Sequence, residues 1–469
     1  MKTTLRRSRP AAERGFSLLE LVISLFIAVE ILIAAALAFD VHNRIASIQV
    51  QVTDLQQSMR VAQYDLVRVL RAAGRGGLPH GTDPAAIFNV AAPIPALQGI
   101  AVEVRNNVAG ADRNIARGNV DSPLAIQGTD ILTVRGCISG TAYQVDPSTF
   151  DWDADSNDVA DDDAQLTIPR TSTAGLLQSL VPLVEELQAY EVDAAIKGRF
   201  SLVSPTALQD YAVADIVGFQ VNGDANDPDS VVLTLDLNNS STLNPFDVVS
   251  GVRQFPSNMT ASMGCFLEEY RYYVREVAGD AITPQRPRLT RARFEPGTEL
   301  PYLGDDSSLS LDLADGIFDL QVALGLDTDF KLGYTGASEP GSFNDDADWI
   351  GDDDTIFEAD RSDPAQDRSQ DDWLYNDATD VPANPQYTTH TFGTNAGQPV
   401  QLYYVRITTV GRTFRPDPSY QAPDFDALAG VDWVEDRDYD AAPASAYKTG
   451  NSNKHRRRVL QTVVDLRNI

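Results

Sequence analysis

The hydrophobic pattern begins with an apolar run from Phe16 to Phe39. At about 1.5 Å per helical residue, this run is long enough to cross the hydrocarbon core of a bilayer. Two carboxylates, Glu20 and Glu30, lie within it. An acidic group inside a membrane helix costs roughly 2.5 kcal/mol or more, so each one is expected to have a partner or a function. The pattern therefore predicts a transmembrane helix with an acidic group near its start.

Helical periodicity continues beyond the apolar run. Apolar residues recur at steps of three and four residues, at Ile45, Ile48, Val52, Leu55, Met59, Ala62, Leu66 and Val69. Glycines from Gly74 onward and Pro79 then provide stop signals. We predict one helix from Phe16 to about Ala73, with residues 40–73 as its amphipathic half. This half is expected to pack on the chain's own sheet, and a heptad coiled coil is the alternative.

Residues 80–469 carry recurrent short segments rich in β-branched and aromatic residues, which are typical of strands. These segments are 130–136, 212–221, 231–237, 267–275, 288–294, 317–324, 400–412 and 458–466. A second helix is predicted over 175–197, where Pro182 either starts or kinks it. The predicted fold class is α+β, with a long N-terminal helix on an antiparallel sheet domain. Large acidic loop insertions are expected near 150–165 and 341–380.

The chain is strongly acidic, with a formal net charge of −30, while its 43% apolar content is ordinary for a globular domain. Such a charge repels nucleic acid and anionic lipid headgroups, so direct nucleic-acid binding is not expected. The run from Lys454 to Arg458 is a local basic exception. We interpret it as an exposed turn that leads into the last strand.

The residues ahead of the apolar run are basic instead. Within residues 1–15, the five basic residues Lys2, Arg6, Arg7, Arg9 and Arg14 outnumber the single acidic residue Glu13. By the positive-inside rule, this segment stays on the cytoplasmic side of the membrane. The junction that follows reads Gly15-Phe16-Ser17-Leu18-Leu19-Glu20.

Gly15, Phe16 and Glu20 resemble the cleavage and methylation signature of type IV prepilins and pseudopilins. The resemblance implies that a prepilin peptidase removes a leader of residues 1–15 and that Phe16 becomes an N-methylated N-terminus. It also implies that residues 16–39 form the transmembrane and filament-core half of the helix. Glu20 would then neutralise the terminal amine of a neighbouring subunit, which offsets the burial of both charges.

Two other interpretations of the N-terminus remain open. Ala36-Leu37-Ala38 could serve as the cleavage site of an ordinary secretory signal, although Glu30 within the apolar region argues against it. A plain signal anchor, with Gly15 and Glu20 present by chance, is the other alternative.

A narrower resemblance joins four segments in the order seen in PilW-like minor pilins. They are 59–77, 315–329, 402–413 and 456–468. Relative to that family, 341–380 and 416–453 look like insertions. The resemblance implies a structural and assembly-priming subunit of a type IV pilus with a pilin-like fold, whose partners are other minor and major pilins. It would reside in the inner membrane with a periplasmic C-terminal domain, and later in the pilus at the cell surface. A type II secretion minor pseudopilin, or a surface adhesin exported by the pilin route, is the alternative.

The chain contains two cysteines, Cys137 and Cys265. An exported chain could join them in one disulfide that closes a long loop. Two unpaired buried thiols remain the alternative.

One acidic loop has the spacing of a calcium ligand set. Asp153, Asp155, Asn157 and Asp161 place oxygen side chains at positions one, three, five and nine of a loop. The usual turn glycine is missing, since Asp158 stands where it would be. A solvated acidic loop without an ion is an equal alternative.

Catalytic motifs are not found in the sequence. The four histidines have no metal-ligand spacing, and neither a Gly-x-Ser-x-Gly motif nor a phosphate-binding loop occurs. We therefore expect a protein that assembles with partners and not an enzyme. No cofactor is expected beyond the calcium ion considered above.

Overall fold

A computed structural model gives the structure of the chain. The residues that it describes are 17–76, 101–119, 122–140, 142–145, 164–171, 175, 177–191, 198–204, 207–236, 263–277, 286–297, 299–302, 310–327, 373–374, 401–423, 433–434, 437–439, 444 and 452–466. The predicted leader (residues 1–15) and Phe16, the proposed calcium loop and almost all of the 341–380 insertion lie outside this set.

The described elements are two α-helices, short 3-10 turns and seventeen strands. The helices are α1 (Leu18–Leu70) and α2 (Val181–Glu191). The strands are β1 (Val102–Arg105), β2 (Ile131–Gly136), β3 (Tyr143–Gln144), β4 (Ala164–Pro169), β5 (Arg199–Ser204), β6 (Ala207–Asp224), β7 (Asp227–Asp236), β8 (Met263–Phe266), β9 (Glu268–Val277), β10 (Arg286–Phe294), β11 (Ser310–Asp315), β12 (Ile317–Asp327), β13 (Trp373–Leu374), β14 (Gln401–Arg412), β15 (Trp433–Val434), β16 (Arg437–Asp438) and β17 (Arg457–Asp465).

Helix α1 is the longest element, at 53 residues. It ends at Leu70, slightly before the predicted end near Ala73, and a hydrogen-bonded turn follows to Gly76. Gly74 and Gly76 have φ angles of 76° and 100°. These left-handed conformations suit glycine and close the turn. The helix ends earlier because the N–H groups of Ala72 and Ala73 donate to carbonyls three residues back, which tightens the chain after Leu70.

The chain divides into two compact units, at Asp54 and Leu55. In the described part of the first unit, α1 is the helical element, and none of residues 18–54 is buried. The second unit holds the rest of α1, α2 and all the described strands. A long N-terminal apolar helix is therefore followed by a β-rich domain, which is an α+β architecture consistent with that of pilins.

Three sheets build the second unit, and all their strand pairs are antiparallel. The first sheet has the order β1-β2-β9-β10-β11, and the second has the order β13-β12-β14-β17. The third sheet has the order β3-β8-β5-β6-β7-β4. Strands β15 and β16 form a separate pair. Since β8 and β9 are separated by Leu267 alone, the chain passes directly from the third sheet into the first.

The main core lies between the second half of α1 and the first two sheets. Buried residues of α1 form one cluster with residues of both sheets, such as Tyr272 and Ile407. Gly411 on β14 permits this contact, since a Cβ there would lie 2.8 Å from Leu55 Cδ1 and 2.9 Å from Met59 Sδ. The predicted packing on the chain's own sheet is therefore confirmed from Leu55 onward, whereas Ile45, Ile48 and Val52 of the predicted stripe are not buried.

A second core forms where α2 packs on the third sheet. Leu183, Val184 and Leu187 of α2 cluster with strand residues such as Phe200 and Leu233. The helix begins at Val181 and not at the predicted residue 175, and residues 192–197 lie outside the described residues. Its second residue is Pro182, which the first turn of a helix tolerates because no intrahelical partner for its missing N–H is needed there.

Candidate functional site: helix α1 and its attachment

The first unit presents an exposed apolar surface. Large hydrophobic side chains of α1 are exposed all along residues 18–39, from 45% at Val29 to 82% at Leu18. By length and composition, α1 is a candidate membrane span, and it is the one such helix among the described residues. The described part of this chain covers no face of residues 18–39. Their apolar surface therefore needs lipid or another protein to shield it from water.

The start of α1 is closed by a reciprocal pair of hydrogen bonds. The backbone N–H of Ser17 donates to Glu20 Oε2 at 3.0 Å, and the N–H of Glu20 donates to Ser17 Oγ at 3.2 Å. This is a capping box, in which both side chains satisfy otherwise unpaired helix-end donors. The sequence analysis missed it, although the Ser-x-x-Glu spacing is its ordinary signal. Gly15 and Phe16 lie outside the described residues.

The capping box gives Glu20 a role within its own chain. Glu20 remains exposed, and its carboxylate has further acceptor sites beyond the one that Ser17 uses. A positively charged group could therefore bind to the Glu20 carboxylate without breaking its hydrogen bond to Ser17. The predicted contact between Glu20 and a neighbouring amine stays a prediction.

Farther along α1, one carboxylate ties the helix to the first sheet. Asp65 accepts a hydrogen bond from Tyr272 Oη at 2.8 Å and two from Arg291 Nη1 at 2.9 and 3.0 Å. Arg68, one turn later, donates to the same carboxylate at 3.1 Å. Burial raises the pKa of Tyr272 well above its ordinary value, and the Asp65 charge adds to this effect, so the phenol stays a neutral donor.

A neutral side chain ties the helix to the second sheet. Gln63 Nε2 donates to the carbonyl oxygen of Leu460 at 3.0 Å, and Thr462 Oγ1 donates to Gln63 Oε1 at 2.9 Å. Both partners lie on β17, which is an edge of the second sheet in the described structure. The helix therefore holds the edge strand by side-chain hydrogen bonds as well as by apolar contact.

The turn after α1 is held where the first and third sheets meet. The N–H of Gly74 donates to the Arg135 carbonyl at 3.0 Å, and the N–H of Cys137 donates to the Arg75 carbonyl at 2.9 Å. Ser201 Oγ of β5 donates to the carbonyl of Gly76. The end of the helix is thus bonded to both sheets.

A disulfide joins Cys137 and Cys265 beside this turn, with their Cα atoms 5.9 Å apart. Cys137 follows β2 of the first sheet, and Cys265 lies on β8 of the third. A Cβ at Gly76 would lie 2.9 Å from Cys137 Sγ, so the turn packs directly against the bond. The disulfide therefore fastens the end of α1 and two sheets at one point.

A buried ionic network stabilises the face of the first sheet that is turned away from α1. Arg135 pairs with Glu269 at 2.6 Å and with Glu103 at 2.7 Å. Arg271 pairs with the same Glu269 at 2.7 Å and with Glu299 at 2.5 Å. Because the buried cations and carboxylates alternate, each carboxylate offsets the desolvation of its neighbours.

The network changes the acidity of its members. Burial alone raises the pKa of Glu103, but the charges of Arg135 and Arg117 outweigh burial and bring it to about 2. Burial, together with the nearby charges of Arg271 and Arg117, lowers the pKa of Arg105 to about 9. Arg105 also donates to the carbonyls of Asn114 and Ile115, which hold the loop over this face.

The described residues contain no group of three histidine, cysteine or acidic side chains arranged to hold a metal ion. The proposed ligands Asp153, Asp155, Asn157 and Asp161 lie outside the described residues. Calcium binding by this loop stays a prediction.

Comparisons with known proteins give no relative. No family model matches the chain, and neither a curated protein nor a solved structure matches it significantly.

Proposed function

We propose that this chain is a minor pilin, a PilW-like structural and assembly-priming subunit of a type IV pilus. The observation that carries the proposal is the difference in burial between the two halves of α1. Its first half exposes apolar side chains in every direction, while from Leu55 onward the helix packs one stripe of side chains on the chain's own sheets. A subunit built in this way can be held in a membrane and then transferred into a bundle of similar helices, since both surroundings bury the same surface.

The disulfide supports export of the second unit. Structural disulfides persist in oxidising compartments such as the periplasm and the cell exterior. Cys137 and Cys265 are both 4% exposed, and their bond lies at the junction of two sheets. A periplasmic domain on an inner-membrane anchor accounts for this bond and for the positive segment that precedes the anchor.

The mechanism of the proposed subunit is docking, in which Glu20 sets the register. A prepilin peptidase cuts between Gly15 and Phe16, and the new amine is methylated. The Glu20 carboxylate keeps its hydrogen bond to Ser17 and also meets the amine of a neighbouring pilin. The apolar side chains around the Glu20 carboxylate and the amine exclude water, which strengthens the attraction between these two charges.

A comparison of two substitutions separates the charge of Glu20 from its capping role. Glu20→Gln removes the charge but keeps an oxygen that can accept the bond from Ser17. Ser17→Ala removes the cap but keeps the charge, and costs about 1 kcal/mol of helix stability. We expect Glu20→Gln to abolish assembly and Ser17→Ala to leave most of it intact. The measurement is the amount of sheared surface pili in a deletion strain that carries each variant.

Normal piliation with Glu20→Gln would overturn the docking mechanism. Immunoblots of the membrane fraction provide the control, because each variant must reach the membrane in equal amount. A deletion strain that keeps its pili but fails to secrete folded proteins would assign the chain to a type II secretion system instead.

A further inference from the structure

The second half of α1 exposes one face that the functions above do not use. This face, here called the Arg-Tyr face, consists of Gln57, Arg60, Val61, Tyr64 and Arg68 of α1 and of Arg71, the residue after the helix, whose N–H still bonds to the carbonyl of Val67. At 100° per residue these side chains fall within a third of the helix circumference, opposite the buried stripe of Leu55, Met59 and Leu66. Tyr64 is 74% exposed and Val61 is 51% exposed.

The Arg-Tyr face is positively charged, whereas the whole molecule is negatively charged. The face carries three arginines and no carboxylate, whereas the chain has 67 acidic against 37 basic residues. Within the described residues, Arg60 and Arg71 enter no ion pair, while Arg68 pairs with Asp65 on its own helix. A tyrosine flanked by arginines is the composition found at the energetic centres of protein interfaces. The sign of the charge selects an acidic partner.

The same chain offers such an acidic surface. Strands β6 and β7 meet in a hairpin whose tip exposes Asp224, Asp227 and Asp229. Asp227 pairs with Arg170 at 2.8 Å but stays 67% exposed. Both the tip and the Arg-Tyr face are open to solvent within one copy. Contact between them therefore requires two copies.

We propose that the Arg-Tyr face of one copy docks on the acidic hairpin tip of a second copy. Opposite charges steer the two surfaces together, and Tyr64 supplies the apolar contact. Because the two surfaces differ, the contact is heterologous and leaves one free surface at each end of a pair. Copies can then add head to tail. This contact does not rest on the pilin assignment or on Glu20.

Charge reversal tests the Arg-Tyr face in the full chain, purified in detergent. For R60E/R71E we expect self-association, measured by sedimentation over a range of protein concentrations, to weaken at least about tenfold. Wild-type association should also weaken from about 0.05 to 0.5 M salt, since exposed charges are screened. R458E is the control, because it reverses one charge on exposed β17, where R60E/R71E reverses two, and it should have no effect. Equal melting temperatures establish that the variants fold.

Exchange of charges tests the identity of the partner surface. D227R/D229R should also lose self-association, yet a mixture of D227R/D229R with R60E/R71E should form mixed pairs. A photo-crosslinking residue can replace Tyr64 in a mixture of isotope-labelled and unlabelled chains. The crosslinks formed between chains should then map to residues 224–229.

Three results would overturn the contact. They are a wild-type chain that stays monomeric, a mixture that does not associate, and crosslinks from position 64 to lipid alone. Association that survives R60E/R71E would place self-contact outside the Arg-Tyr face. That result would end this proposal without affecting the minor pilin assignment, which depends on the Glu20 variants.

Discussion

The two halves of α1, divided here between Asp54 and Leu55, form one continuous helix but differ in what covers their apolar surface. None of residues 18–54 is buried, although most of them up to Phe39 are apolar. From Leu55 onward six residues of the helix are buried, and they form a single stripe at helical spacing. A helix that is apolar all round needs an external partner, whereas a striped helix finds its partner within the same chain.

Polar groups follow the same division. In the first half, the Glu20 carboxylate is exposed and bonds only to Ser17 among the described residues. In the second half, Asp65 receives donors from its own helix and from two strands of the first sheet. The exposed carboxylate is therefore open to a further partner, while the half-buried carboxylate fixes the helix to its domain.

The largest effect is expected from loss of the disulfide, which should destabilise the second unit and leave helix residues 18–54 unaffected. Cys137 and Cys265 are 128 residues apart, so the double serine variant should lose about 4 kcal/mol of unfolding free energy. Chemical unfolding measures this loss, and reductant-treated wild type should match the variant. Helicity of residues 18–54 should persist in detergent. A simultaneous loss of that helicity would contradict the division between the halves.

A leucine-to-alanine pair compares the halves directly. Leu66 is 0% exposed, so Leu66→Ala should cost about 3 kcal/mol through lost burial and a cavity. Leu32, which is 68% exposed, provides the matched control, and Leu32→Ala should change the unfolding free energy of the sheet domain by less than about 0.5 kcal/mol. Equal effects of the two substitutions would mean that the boundary near Leu55 has no energetic meaning.

Acid should destabilise the second unit through its buried ionic network. The pKa of Glu103 is about 2 in the folded chain and 4.5 when unfolded. Its contribution, about 3 kcal/mol, is therefore present above pH 4.5 and is lost as the pH falls towards 2. The pKa of Glu269 is lowered in the same sense, because its arginine partners outweigh burial. Glu103→Gln should flatten the acid limb of stability against pH, and an unchanged slope would contradict this assignment.

The smallest effect concerns two carboxylates of α1, Asp54 at the end of the first half and Asp65 within the second. Asp65→Asn weakens the bonds from Tyr272 and Arg291 and should cost about 2 kcal/mol. Asp54→Asn is the control on the same helix, since Asp54 is exposed and should be near neutral. Thermal unfolding of the two variants gives the comparison. A larger loss from Asp54→Asn would place the attachment of the helix elsewhere.

Local pattern predicted much of this architecture. The continuity of α1 and strands such as β12 and β14 followed from periodicity and β-branched runs. Strand β1, with the sequence Val-Glu-Val-Arg, was missed because Glu103 and Arg105 look like surface residues. In the folded chain they are buried, and Arg135 meets Glu269 across 134 positions of sequence. Pairing over that distance depends on sheet order, which local periodicity does not encode.

The sequence predicted which residues of the candidate site have a chemical role, but it did not predict most of the contacts that these residues make. The Gly15-Phe16 junction and Glu20 were recognisable as a motif, and the two cysteines suggested a bond. The Ser17–Glu20 cap has the Ser-x-x-Glu spacing of a capping box, but the motif resemblance assigned Glu20 a partner in another subunit instead. The bonds of Asp65 and Gln63 could not be foreseen, since both look like ordinary polar residues of an amphipathic helix.

The central claim is that α1 is the processed helix of a pilus subunit. Intact and N-terminal mass spectrometry of the chain from the membranes of its producing organism tests this claim most directly. The account predicts a mature chain that begins at Phe16 and carries a methyl group on its terminal nitrogen. A chain that retains Met1, or one that begins at Phe39 after cleavage at Ala36-Leu37-Ala38, would contradict it.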